Sequence, residues 1–226
     1  MKAFSFRLLL KRFRMNRFQV LLPITLMVVI VPAFLPNGLF SQLFFFSLLS
    51  ALFIQSMLAV TESHSKKIIR RYFTVFFMIV IIWLEPQGQK ILTYNVLRLT
   101  ALIGFFGFII YSLAKYLRKA KVINTDLIFI TINIYLLMGI LFGNLAMLID
   151  LLLPGAYRFP EYMEPISFSD FLYFSFITMS TVGYGDVLPV LSQSQAISYI
   201  TALAGQLYIA IVMAIIVGKF LVHNNE

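Results

Sequence analysis

The sequence contains no cysteine. That excludes disulfides, thiolate metal sites and a cysteine nucleophile. Charge is scarce as well: 12% of residues are charged, with nine acidic residues and two histidines. Inside the apolar runs we find no paired acid and base and no ligand set of the kind an intramembrane enzyme or a transporter requires. His64 and His223 fall in a loop and in the tail, without companions to complete a metal site. No enzymatic activity and no cofactor are expected. Internal repeats and low-complexity segments are missing too.

What is present is apolar. Hydrophobic residues make up 61% of the chain, 24 of them Phe, and the mean hydropathy is +0.92. A soluble domain has roughly 45–50% apolar residues. Six stretches approach the ~20 residues a helix needs to cross a bilayer, with tolerance down to about 17. They are 20–35, 39–60, 68–84, 96–117, 122–152 and 196–222. The first contains Pro23 and Pro32, and the third needs Arg70 and Arg71 to snorkel to the interface. The fifth exceeds a bilayer's thickness and must tilt or project. The expected fold class is an all-α membrane protein with six transmembrane helices.

The basic residues orient these spans. With the N-terminus inside, inner segments hold 15 Lys and Arg residues, and only Lys90, Arg98 and Arg158 remain outside. Cytoplasmic loops favour Lys and Arg, so both termini are expected in the cytoplasm of a multi-pass cell-membrane protein. The net charge of +9 is then a topology signal, and no nucleic-acid partner is expected. Residues 1–19 form a basic segment, alternating apolar and basic groups over 4–20 as an interfacial amphipathic helix does. Its expected role is a topology anchor, with anionic membrane lipids as partners. Pro32-Ala33-Phe34 does not supply a small-x-small cleavage site, so the segment is read as retained.

Loops are short. Pro36-Asn37-Gly38 reads as a tight outer turn, and Asn124 or Thr125 with Asp126 as a helix start. Asp150, Glu161 and Glu164 are expected to be solvated outer charges. Asn133 and Asn144 read as interhelical hydrogen bonders.

The chemistry gathers near the C-terminal end. Ser167-x-x-Asp170 has capping-box spacing. The run it opens, 168–180, is too short to cross a bilayer and ends at Thr181-Val182-Gly183-Tyr184-Gly185-Asp186. A helix stopping at mid-membrane aims its partial negative C-terminus there, which favours a cation. Gly183 and Gly185 permit backbone angles that let successive carbonyls face one side. Carbonyls of Thr181, Val182, Gly183 and Tyr184, with the Thr181 hydroxyl, can replace the water shell of a dehydrated ion. Val182 and Tyr184 side chains would then point away and brace this strand, with Tyr173, Ile177 and Ser180 as its support and Asp186 at the outer mouth. In the last span, Gly205 reads equally as a gating hinge or as a site of close helix packing. Ile209, Met213 and Val217 follow it at helical spacing and are candidates for an apolar inner gate.

TVGYG in this setting is the selectivity-filter sequence of potassium channels. Residues 122–222 resemble the pore module of tetrameric potassium channels, and Gly205-Gln206-Leu207-Tyr208-Ile209-Ala210-Ile211 resembles the inner helix of prokaryotic pore modules. The six-span layout resembles the six-transmembrane members by number and topology. The resemblance implies a re-entrant pore helix and filter between the fifth and sixth spans, a homotetramer, and passive potassium flux. Expected regions are the basic segment 1–19, a four-helix region 20–118 and a pore domain 119–226. The alternative is a non-conducting regulatory or assembly subunit that keeps the pore fold. Two departures stand out. The fourth span has Arg98 and Lys115 near its ends and no charge ladder between them, so steep voltage dependence has no source. Ile177 stands where some relatives place a carboxylate behind the filter. The sequence given ends four residues after the last apolar run, so no cytoplasmic ligand-binding domain is expected.

Overall fold

The computed structural model describes residues 17–35, 38–60, 68–84, 92–119, 125–163 and 165–223. The N-terminal amphipathic segment through residue 16, Pro36-Asn37, His64, Lys66, Lys67, Lys90, Lys121 and Glu164 lie outside the described residues, as do the side chains of Arg70, Arg71, Lys219 and His223.

Seven α-helices form among the described residues: α1 Arg17–Ile30, α2 Leu39–Val60, α3 Ile68–Trp83, α4 Leu92–Lys119, α5 Thr125–Leu152, α6 Phe168–Met179 and α7 Ser192–His223. Five are long and apolar enough to cross a membrane: α1 with the 3-10 turn Val31–Phe34 that extends it, α2, α4, α5 and α7. α3 covers 16 residues of the expected third span, 68–84, and residues 61–67 and 85–91 on either side lie outside the described residues. The chain is an integral membrane protein. Helix ends run past the apolar stretches because backbone hydrogen bonding continues into polar flanks, as where α4 begins at Leu92 and α7 at Ser192.

The chain divides into two compact units. One holds α1, α2, α3 and Thr125–Asn133 at the start of α5. The other holds α4, the rest of α5 from Ile134, α6 and α7. The units therefore divide the chain differently from the sequence regions 20–118 and 119–226.

In the first unit, α1 buries Phe18, Leu21, Thr25 and Val28, a stripe at three- and four-residue spacing. Pro23 lies inside α1 and has no N–H to give the Gln19 carbonyl. Polar side chains serve this helix. Asn133 donates through Nδ2 to the Phe18 carbonyl (3.2 Å), and the Thr25 hydroxyl lies within donating distance of the Leu21 carbonyl (2.9 Å) and Asn133 Oδ1 (3.2 Å). Gln55 on α2 donates to the Arg17 carbonyl at 2.9 Å. Asn133 is thus an interhelical bonder. Asn144 is not: its amide donates within its own helix, to the Ile140 carbonyl at 2.8 Å.

The second unit closes at one end with a two-stranded antiparallel ribbon, β1 Tyr157–Arg158 and β2 Leu188–Pro189, pairing Tyr157 with Pro189 and Arg158 with Leu188. Beside it lies a buried cluster of Ala146, Ala156, Tyr157, Phe171, Phe174 and Val187. Tyr157 meets Phe174 edge to face at 5.2 Å, and Phe159 meets Phe171 at 5.1 Å. Asp150 is not simply solvated. It is half-buried and accepts the Tyr157 amide at 3.2 Å.

Candidate ion-conduction site

Helix α6 begins where the sequence places a cap. The Asp170 carboxylate accepts the Ser167 amide at 2.7 Å and the Ser167 hydroxyl at 2.8 Å. At twelve residues, α6 is about 18 Å long, roughly half of a bilayer crossing.

Three glycines and one serine seat α6 on its neighbours. A Cβ at Gly139 of α5 would meet the Phe176 ring at 2.3 Å, and one at Gly143 would meet the Phe171 carbonyl at 3.3 Å. Ser175 donates to the Gly139 carbonyl at 2.8 Å. A Cβ at Gly205 of α7 would stand 2.1 Å from the Met179 carbonyl oxygen. Of the two readings of Gly205, close packing is the one this contact accounts for. Gly139 and Gly143 were not singled out from the sequence. Their small-x-x-x-small spacing in an apolar run is the signal that marks such a groove.

The end of α6 determines the strand that follows. The Val182 amide donates to the Ile177 carbonyl (2.9 Å), and the Thr181 amide to the Thr178 carbonyl (3.1 Å). This 6→1 and 5→2 pair is a Schellman motif, with Thr181 at the position where glycine is usual. Thr181 adopts φ 62°, the left-handed region, which a β-branched residue resists at a cost of about 1–3 kcal/mol. Gly183 and Gly185 also have positive φ, 55° and 78°.

The Gly183 amide donates to the same Ile177 carbonyl at 3.2 Å. In a planar trans peptide the C=O points opposite to the following N–H. Tying the amides of 182 and 183 to Ile177 therefore turns the carbonyls of Thr181 and Val182 away from α6, both toward one side. Ile177 supports the strand through its main chain, a role its side chain does not signal. Ser180 locks the same turn, its hydroxyl donating to the Phe176 carbonyl at 2.7 Å.

The far end of the strand is held separately. The Tyr173 hydroxyl donates to Asp186 Oδ2, and Asp186 Oδ1 accepts the Val187 amide at 2.9 Å. Val187 is buried in the aromatic cluster. Tyr173 of α6 thus supports the strand at its outer end, through Asp186. Between these anchors Thr181, Val182, Gly183, Tyr184 and Gly185 are all exposed, Val182 at 52% and Tyr184 at 71%. Within one chain these two side chains brace nothing. On α7, Ile209, Met213 and Val217 are exposed. Gln206, next to Gly205, reaches the Thr181 hydroxyl through Nε2 at 3.5 Å, a contact not foreseen from the sequence.

Tyr157 completes the local electrostatics. Its hydroxyl is buried without a hydrogen-bond partner among the described residues, and burial pushes its pKa up to about 12, with Asp150 adding to the rise.

Residues 130–222 match a family model described as ion channel. The match runs from early α5 through α6 and the Thr181–Asp186 strand to the end of α7, less than half of the chain. It supports an ion channel over an enzyme. No curated protein and no solved structure matches the chain.

Proposed function

We propose that the chain is a potassium-selective channel conducting passive potassium flux across the cell membrane. It works as a homotetramer with both termini cytoplasmic, and it is not strongly voltage-gated. The observation that carries this reading is the strand at the end of α6, where amides tied to Ile177 turn the Thr181 and Val182 carbonyls to one side of a TVGYG sequence. In this reading α6 is a re-entrant pore helix. Potassium is held in a filter of Thr181, Val182, Gly183, Tyr184 and Gly185, by carbonyls of the first four and by the Thr181 hydroxyl, with Asp186 at the outer mouth.

One chain supplies one such strand, and four around an axis close a ring. The bare surfaces fit that assembly. Only 11% of the most apolar 18-residue window of α7, within Ser192–Ile215, is buried within one chain, and Val182 and Tyr184 are exposed. Neighbouring copies would cover them, giving Val182 and Tyr184 the packing that braces the filter. Met213 and Val217 would then line the inner vestibule, where an apolar ring closes by dewetting. Anionic lipids are the proposed partners of the basic N-terminal segment.

The test is potassium flux from liposomes holding the full chain, with reversal potentials in mixed potassium and sodium. We expect strong preference for potassium, lost in Gly183→Ala because an alanine at φ 55° is strained. Equal permeability of the two ions in the wild type would overturn the reading.

A further inference from the structure

We propose that Gln206 is a specificity-determining residue: its carboxamide contests the Thr181 hydroxyl with the permeating cation at the innermost ion position. The proposal rests on the channel reading above. Its placement follows from the packing of α7. Gly205 sits against the Met179 carbonyl, two residues before Thr181. That contact sets the next side chain, Gln206, at the inner end of the strand, with Nε2 3.5 Å from Thr181 Oγ1. Both side chains are exposed in the single chain, so nothing within it closes them off from an ion at the inner end of the strand.

The chemistry is a competition for lone pairs. A threonine hydroxyl has one proton and two acceptor lone pairs, and a glutamine carboxamide offers both donors and an acceptor. A lone pair that takes the Gln206 N–H is withheld from a dehydrated cation. The same carboxamide turned over presents Oε1 to the hydroxyl proton and leaves both lone pairs to the ion. At 3.5 Å the contact is at the long end of hydrogen bonding, so exchange between the two arrangements costs little. Thr181 cannot evade the contest by swinging away, because its β-branch restricts χ1. Four copies would place four carboxamides in a ring beneath four hydroxyls.

Barium has nearly the size of potassium and twice its charge, so its block from the inner side reads the ligands at this level. The experiment measures internal barium block of potassium currents in reconstituted full-length wild type, Gln206→Leu, Thr181→Val and the double variant. Gln206→Met replaces Gln206→Leu if the latter does not assemble. We expect Gln206→Leu to tighten barium block about three- to tenfold, the range of one net hydrogen bond, and to do so only where Thr181 keeps its hydroxyl. The potassium-to-sodium reversal potential, set by the whole run of carbonyls, should stay put. A shift of less than about twofold, well below one net hydrogen bond, with intact potassium current would overturn the proposal. So would an equal shift in the Thr181→Val background. Wild-type liposomes that pass no potassium would instead overturn the channel reading, and this inference with it.

Discussion

Gly205 and the Met179 carbonyl approach so closely that a Cβ on the glycine would lie 2.1 Å from the oxygen. Backbone meets backbone at this point, so no rotamer change relieves the clash. α7 is pinned here to the residue that ends α6.

The first prediction concerns that contact. Gly205→Ala should destabilise the protein by about 1–3 kcal/mol, as overpacking does. Gly218 is the control: nothing lies within 4 Å of its Cβ position, so Gly218→Ala should be neutral, or stabilising by up to about 1 kcal/mol through helix propensity. Thermal unfolding in detergent compares the two. Equal effects would mean Gly205 is retained for bending and not for packing.

A second prediction concerns the seat of α6 on α5. An alanine at Gly139 meets the Phe176 ring, the far end of a side chain that can be shortened. Gly139→Ala should destabilise, and Phe176→Leu should cost less in the Gly139→Ala background than in the wild type. A double-mutant cycle should return a coupling of about 0.5–3 kcal/mol, typical of residues in contact. Strict additivity would show that the ring moves aside freely.

The buried phenol of Tyr157 gives a pH dependence. Below its ordinary pKa of 10.0 the group is neutral folded or unfolded, so it adds no slope. Above that, the unfolded chain ionises while the folded chain keeps the proton until about 12. Stability should therefore fall as pH rises through this window. Tyr157→Phe should flatten the fall and leave neutral-pH stability unchanged or slightly raised, since it removes a hydroxyl without a partner. Alkaline unfolding curves of the two proteins make the comparison.

Gating supplies the last prediction. α4 holds Arg98 beside Tyr94, then no basic residue until Lys115, so conductance should vary weakly with voltage. We expect at most about one gating charge per subunit, each charge contributing ~2.3 kcal/mol per 100 mV. Met213→Asn should raise basal current by making an apolar ring wettable. A steep conductance–voltage curve would contradict the first expectation. Unchanged current in the variant would place the gate at the filter instead.

Much of this protein could be read without coordinates. Apolar runs near bilayer length define membrane helices because lipid leaves the backbone no other partner. A local rule is just as legible in the chain: Ser167-x-x-Asp170 starts α6, whose cap closes over three residues. Gly183 and Gly185 stand where the backbone takes positive φ, a local demand the glycines already signal in the sequence.

Other features join residues far apart in the chain, and only tertiary structure decided them. Asn133 serves the Phe18 carbonyl because α1 and the start of α5 happen to lie together; Asn144, alike in sequence context, turns to its own helix. Gly205 is a glycine because Met179 occupies the space a side chain would need. Tyr173 holds Asp186, and Gln206 reaches Thr181, through helix positions that no local pattern encodes. Periodicity and motif report what a segment demands of its own backbone. Which partner fills that demand depends on long-range packing, where contact between two side chains is set by every helix that positions them.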